Sequence, residues 1–185
     1  MFTPQQIVKG IDPRLTYIKK FQQTPHVFLV SNGNNYLVLK AASKGAYPLE
    51  SPYLMQFRLD HISVEERILK ELSEVDGITH LIRTCESKTH IALLKEFCEG
   101  RPIGRLDANY ADYCTLWKKI REIHSHGIAG LDIRRSNFIK NYSQREQSPI
   151  IVDFGVGFFR EDIGRKSFAK YKENDLDKLE CLFNV

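Results

Sequence analysis

Residues 123–157 read IHSHGIAGLDIRRSNFIKNYSQREQSPIIVDFGVG, and the fold turns on how this stretch is read. It places Asp132 and Asn137 in one loop and returns, after the apolar run at 149–152, to a second acid in the tripeptide Asp153-Phe154-Gly155. An acid and an amide at fixed spacing, followed by an acid at the end of a strand, make a set of oxygen donors. Such a set can hold a hydroxyl and divalent cations around a nucleotide's phosphates.

Just before the stretch, residues 108–126 have helical periodicity. Tyr113, Leu116, Trp117, Ile120 and Ile123 form one stripe, Lys118, Lys119 and Arg121 lie mostly away from it, and Gly127 follows as a C-terminal stop. His124 and His126 stand at i, i+2, on different helix faces, and are read as structural rather than metal-binding. Within the stretch, a loop at 129–136 leads to a short strand at 138–140. A polar hairpin at 141–149 (NYSQREQSP) then precedes a strand at 150–152. Within the remaining residues 156–185, residues 175–183 (DLDKLECLF) read as one amphipathic helix.

Further out on the N-terminal side, residues 15–21 (LTYIKKF), 26–30 (HVFLV) and 36–40 (YLVLK) are short and rich in β-branched and aromatic side chains. The Gly33-centred turn SNGNN separates the last two, which predicts three antiparallel strands. Lys40 ends the third and, taken alone, is a solvated lysine at a strand edge. Residues 41–60, with Pro48 and Pro52, read as an irregular loop. A helix follows through SVEERILKELSEV, where Ser63 and Glu66 match a capping box. At 100° per residue Glu65 projects from the face that carries Ile68, Leu69 and Leu72. A carboxylate there needs a partner, and Lys40 is the candidate. Capping at Ser63 would instead put Glu65 in a solvated first turn, so the two readings agree only if the helix starts earlier. Strands at 80–84 and 89–98 joined by CESK come next, and the break Glu99-Gly100-Arg101-Pro102 reads as a hinge. The organisation expected is therefore 1–97 as one subdomain and 98–185 as another.

Composition excludes several classes. With 185 residues, 42% hydrophobic and 27% charged, the chain is long enough for a sizeable core, and its net charge of +4 comes without a basic run, so no nucleic-acid motif is read. Cys85, Cys98, Cys114 and Cys181 show neither C-x-x-C pairing nor metal spacing. No leader and no membrane span are apparent, which gives the expectation of a cytoplasmic protein with reduced thiols.

Together these parts resemble the protein-kinase-like superfamily over most of the chain. The catalytic-loop pattern H-R-D-L-x-x-x-N stands here as G-L-D-I-R-R-S-N, residues 130–137, and D-F-G follows. The resemblance implies an α+β, two-lobed kinase-like fold, with an antiparallel N-lobe sheet and one main helix in 1–97 and a truncated, mainly helical C-lobe in 98–185. It implies ATP and Mg²⁺ as cofactors. Asp132 would accept, as base, or orient the proton of the substrate hydroxyl, with Arg134 near the transferred phosphate. Asn137 and Asp153 would hold the metal, and Lys40, positioned by Glu65, would contact the α/β-phosphates. Backbone groups from Glu96 to Cys98 would meet adenine, and Asp175 would brace the catalytic loop.

The chain departs from the pattern in four places. No Gly-rich phosphate loop is present, since QQTPH with Thr24 stands between the first two strands. Gly130 and Leu131 replace histidine and arginine, so a phosphorylated activation loop would find no arginine receptor and activity would be constitutive or controlled by a partner. No A-P-E follows, and the tail is short. These reductions resemble compact atypical kinases such as the RIO family and the small kinase of the tRNA-threonylcarbamoylation complex. The expected function is a minimal serine/threonine kinase or kinase-like ATPase acting on an unknown protein substrate or with a regulatory partner. The alternatives are a pseudokinase-like interaction module and a small-molecule or lipopolysaccharide kinase.

Overall fold

Thr3 opens the described chain as a helix cap. Its hydroxyl accepts from the Gln6 N–H at 3.2 Å while the Gln6 side chain accepts from the Thr3 N–H at 2.8 Å, with Pro4 in the first turn. The resulting helix α1 (Pro4–Ile11) was not expected from the sequence reading. The computed structural model describes residues 3–21, 27–45, 52–104, 107–141 and 148–184, and the side chains of all of these but 52, 54 and 55. The chain divides into two compact units, Met1–Glu66 with His80–Phe97, and Arg67–Thr79 with Cys98–Val185.

The first unit is built on an antiparallel sheet of β1 (Thr16–Lys20), β2 (Val27–Ser31), β3 (Tyr36–Ser43), β4 (Leu81–Glu86) and β5 (His90–Glu96), in the order β1-β2-β3-β5-β4. Val8 of α1 is fully buried in a core with Leu15, Phe28, Val30, Leu39 and Leu94. The β2–β3 turn is closed by Asn32, whose side-chain oxygen accepts from the Asn34 and Asn35 N–H groups, with Gly33 at φ +97°. At the edge of the core, Asp12 is 3% exposed and takes bonds from Arg14 and Arg83.

Two expectations are corrected here. Residues 41–60 are not one irregular segment, because β3 runs on to Ser43 and helix α2 (Pro52–Glu71) begins well before Ser63. Ala41 and Ala42 are small enough to continue the central strand opposite Ala92 and Ile91, and Pro52 stands where a helix's first N–H has no partner. Ser63 therefore lies in mid-helix and caps nothing, so Glu65 sits on a buried face rather than in a first turn. Pro48, Thr24 with its QQTPH loop, and most of the polar hairpin at 141–149 lie outside the described residues.

In the second unit, Asn109 caps α3 (Tyr110–Ser125) by accepting from the Asp112 N–H at 2.9 Å. Leu116, Ile120 and Ile123 are fully buried, and Gly127, at φ +76°, ends the helix as expected. Strand β6 (Arg101–Pro102) pairs with β8 (Phe138–Lys140), which pairs with β9 (Ile150–Ile151); β7 (Ile128–Ala129) pairs with β10 (Phe158–Phe159). The tail is more helical than expected. Helix α4 (Arg160–Phe183) precedes and includes 175–183, broken only at Gly164, where the backbone is non-helical. The fold is α+β, with a five-stranded antiparallel sheet and four α-helices among the described residues, compatible with a small kinase-like fold. No helix among the described residues is long and apolar enough to cross a membrane.

Candidate active site

In the first unit, strand alternation builds a charged cluster. Lys40 lies in β3 between Val27 of β2 and Leu93 of β5, while Lys95 of β5 faces Val38 of β3. Positions 38 and 40, and their partners 95 and 93, project from the same face of the sheet. Glu65 of α2 is completely buried, with Lys40 Nζ 2.6 Å from its Oε2 and Lys95 Nζ 2.5 Å from its Oε1. The Lys40–Glu65 pair is the one the helical arithmetic implies. Lys95, 4% exposed, was missed. Its signal was a lone lysine closing the run HIALL at the inward parity of a central strand. Glu96 ends β5, exposed, with its N–H donating to the His80 carbonyl at 3.0 Å, and Cys98 follows, half-buried.

In the second unit, the β8–β9 ladder brings the amide and the second acid to one end. Phe138 pairs with Ile151, and the Val152 N–H donates to the Asn137 carbonyl at 3.1 Å, so Asp153 emerges beside the residue that precedes β8. Asn137, 5% exposed, closes a 3-10 turn (Arg135–Asn137). Its Nδ2 donates to the Asp132 carbonyl at 2.9 Å and to Asp132 Oδ2 at 3.0 Å. A carboxylate accepts only, so this contact fixes the amide with its oxygen facing away from Asp132. Arg134 Nε lies 2.7 Å from the same Oδ2, on an exposed side chain. Asp153 Oδ1 accepts from the Gly155 N–H at 3.1 Å, and Phe154 is fully buried, which anchors the turn from its centre.

The loop carrying Asp132 is held from behind. Asp175 of α4 is fully buried, and its Oδ2 accepts from the Gly130 N–H at 2.9 Å and meets His124 Nε2 at 3.0 Å. The bracing role expected of Asp175 thus has a geometry, and His124 has a partner in α4. Gly130 has φ +76°, and a Cβ there would come within 2.7 Å of Phe158 Cδ2 and 3.3 Å of Tyr171 Cδ1. The Phe158–Tyr171 ring pair, with centroids 5.0 Å apart, occupies the space a side chain at 130 would need. Arg135 reaches the other end of α4, bonding the Leu182 carbonyl and the Gly104 carbonyl. Cations suit the unpaired carbonyls of a helix C-terminus.

The donor set suits a hard divalent cation. Asn137 supplies an amide oxygen and Asp153 a carboxylate, the ligand types that magnesium accepts alongside phosphate oxygens and water. Among the described residues no group of three or more His, Cys, Asp or Glu could hold a metal ion. Two protein ligands are what such an ion needs when a nucleotide's phosphates complete its shell.

No family model matches the chain. Over 141 residues, 69% of its length, it is 26% identical to calcium-dependent protein kinase 13 of Arabidopsis thaliana. Over 111 residues, 55% of its length, it is 26% identical to calcium-dependent protein kinase 3 of Oryza sativa subsp. japonica. The aligned stretches are 26% and 20% of those proteins, so the chain spans about a quarter or less of the curated relatives it matches. This distant, partial likeness points to the protein-kinase-like superfamily.

Proposed function

We propose that the chain is an ATP-dependent phosphotransferase, a minimal serine/threonine-type kinase or kinase-like ATPase. The observation that carries this reading is the Asp132–Asn137 unit. One amide donates to both the carbonyl and the carboxylate of the acid, and the register of β8 and β9 sets Asp153 next to it. Residues 1–97 are read as the nucleotide-binding lobe, with Lys40 on the α/β-phosphates and Glu96 to Cys98 toward adenine. Residues 98–185 are read as a reduced catalytic lobe of the RIO or tRNA-threonylcarbamoylation type, in the cytoplasmic setting expected from the sequence.

Bound magnesium, held by Asn137 and Asp153, would neutralise charge on the phosphates. Asp132 orients the acceptor hydroxyl and takes its proton as that oxygen bonds the γ-phosphorus. The bond to the β–γ bridging oxygen breaks and ADP leaves with the electron pair. Arg134, paired with Asp132 Oδ2 at 2.7 Å, would turn its charge toward the transferred group.

A second reading, a nucleotide-binding module without transfer, is favoured by one observation: Asp132 Oδ2 is already engaged by both Arg134 and Asn137. Incubation with Mg²⁺ and γ-labelled ATP, with and without generic protein substrates, separates the two, run beside Asp132→Asn and Asp153→Asn. The kinase reading expects label transfer or hydrolysis that both variants abolish. Activity that persists in the variants, or is absent from the parent, refutes it.

A further inference from the structure

We infer that Lys95 is a positioning residue for this chemistry, holding one oxygen of Glu65 so that the other is presented to Lys40. The inference rests on the reading of Lys40 as a phosphate contact.

Glu65 Oε1 takes Lys95 and Oε2 takes Lys40, at 2.5 and 2.6 Å. One donor on each oxygen fixes both the reach and the plane of a side chain that a single ion pair would leave free to rotate about its last bond. The two lysines are not equivalent. The Lys95 side chain is 6% exposed and that of Lys40 17%, so Lys40 is the more open member and Lys95 the deeper anchor.

Stability alone is a poor reason for Lys95. Glu65 can be neutralised by Lys40, and bringing a second ammonium into a buried site carries a desolvation penalty that an apolar residue of similar volume avoids. Leu93 and Leu94, buried beside it in the same strand, are such residues. What a lysine at 95 adds is a fixed carboxylate. Glu65 also keeps this donor when the Lys40 ammonium turns to a phosphate, so α2 and β5 stay tied through the cycle.

The test measures Mg-ATP dissociation constants and melting temperatures for the parent, Lys95→Met, Lys40→Met, the double variant and Lys95→Arg. Methionine matches lysine in length and suits an apolar site, so the variant is expected to fold. Lys95→Met is expected to weaken Mg-ATP binding about tenfold, the lower end of what an outer supporting contact is worth. Because Lys95 acts through Glu65 on Lys40, the double variant is expected to bind like Lys40→Met alone, within about twofold. A residue that only stabilises the fold would lower the melting temperature, and its effect would multiply with that of Lys40→Met.

Parent-like binding by Lys95→Met, or multiplied effects in the double variant, overturns the role. If Lys95→Met does not fold, Lys95→Arg decides through the same cycle, because the guanidinium fork keeps the charge but changes how Glu65 is held. Binding about tenfold weaker at an unchanged melting temperature, with no further loss beyond Lys40→Met when the two are combined, supports the role, and parent-like binding or effects that multiply with Lys40→Met overturn it. A parent that binds no Mg-ATP refutes the nucleotide reading itself, a result seen before any variant is compared.

Discussion

Gly130→Ala tests how tightly the loop carrying Asp132 is built into the second unit. Two separate costs follow from the structure. At φ +76° an L-residue is placed in the left-handed region, which costs about 1–2 kcal/mol. The added Cβ would also meet Phe158 Cδ2 at 2.7 Å, Phe158 Cε2 at 3.1 Å and Tyr171 Cδ1 at 3.3 Å, and overpacking of this kind costs about 1–3 kcal/mol. Together they give a loss of about 2–5 kcal/mol. In a chain of this size that is a fall of about 4–20 °C in melting temperature. Thermal unfolding followed by circular dichroism reads the value, and Phe158→Ala in the same background separates the parts. Removing the ring relieves the clash but not the backbone strain, so the double variant is expected to recover only the packing share, with a coupling of about 0.5–3 kcal/mol. A Gly130→Ala variant that melts within about 2 °C of the parent, or a double variant with no coupling, would refute the reasoning.

Glu65→Gln leaves two lysines around a neutral amide at a buried position. It is expected to cost about 3–5 kcal/mol in denaturant unfolding, and a loss below about 1 kcal/mol would sink the account of the cluster. Arg67→Ala breaks contacts to Glu161 and Asp162 at 2.5 and 2.7 Å and a stack on Phe159 at 3.8 Å, yet all the charged partners are about half-exposed. Its expected cost is under about 1 kcal/mol, readable in the same unfolding assay. Burial lowers the His90 pKa below its usual 6.5. The unfolded chain then binds the proton first, so stability is full above that value and falls as pH drops through it toward the folded pKa. His90→Gln is expected to flatten the melting-temperature profile on the acid side, and an unchanged slope would exclude the group.

What was legible in the sequence followed from strong local periods. The inward direction of Glu65, the Gly33 hairpin, the α3 stripe and the Asp132–Asn137 loop all rest on spacing that tertiary contacts do not alter. The start of α2 was hidden because Ser63 and Glu66 imitate a cap in mid-helix, while the stretch before them mixes Tyr53, Phe57, Asp60 and His61 without a clean apolar stripe. Helix α1 carried its own signal in Thr3, Pro4 and Gln6, but eight residues are marginal without the sheet on which Val8 packs. Lys95 showed its inward parity in the sequence but not its partner, because which helix face packs on that side of the sheet is not given by local sequence. The Gly130 substitution looked like a loss, and only the Phe158–Tyr171 pair shows what fills the space instead.

The double pairing of Glu65 also bears on how the molecule folds. Its partners stand 25 and 30 positions away along the chain, in different strands. The charges meet only after β3 has paired with β5 and α2 has docked, so the loop-closure entropy comes before the electrostatic gain. Contacts completed after the rate-limiting step contribute little to the folding rate and act instead on the barrier to unfolding. On that account the paired cluster around Glu65 is also a latch on the first unit. Loosening it should show in kinetic traces as faster unfolding at nearly constant refolding rate.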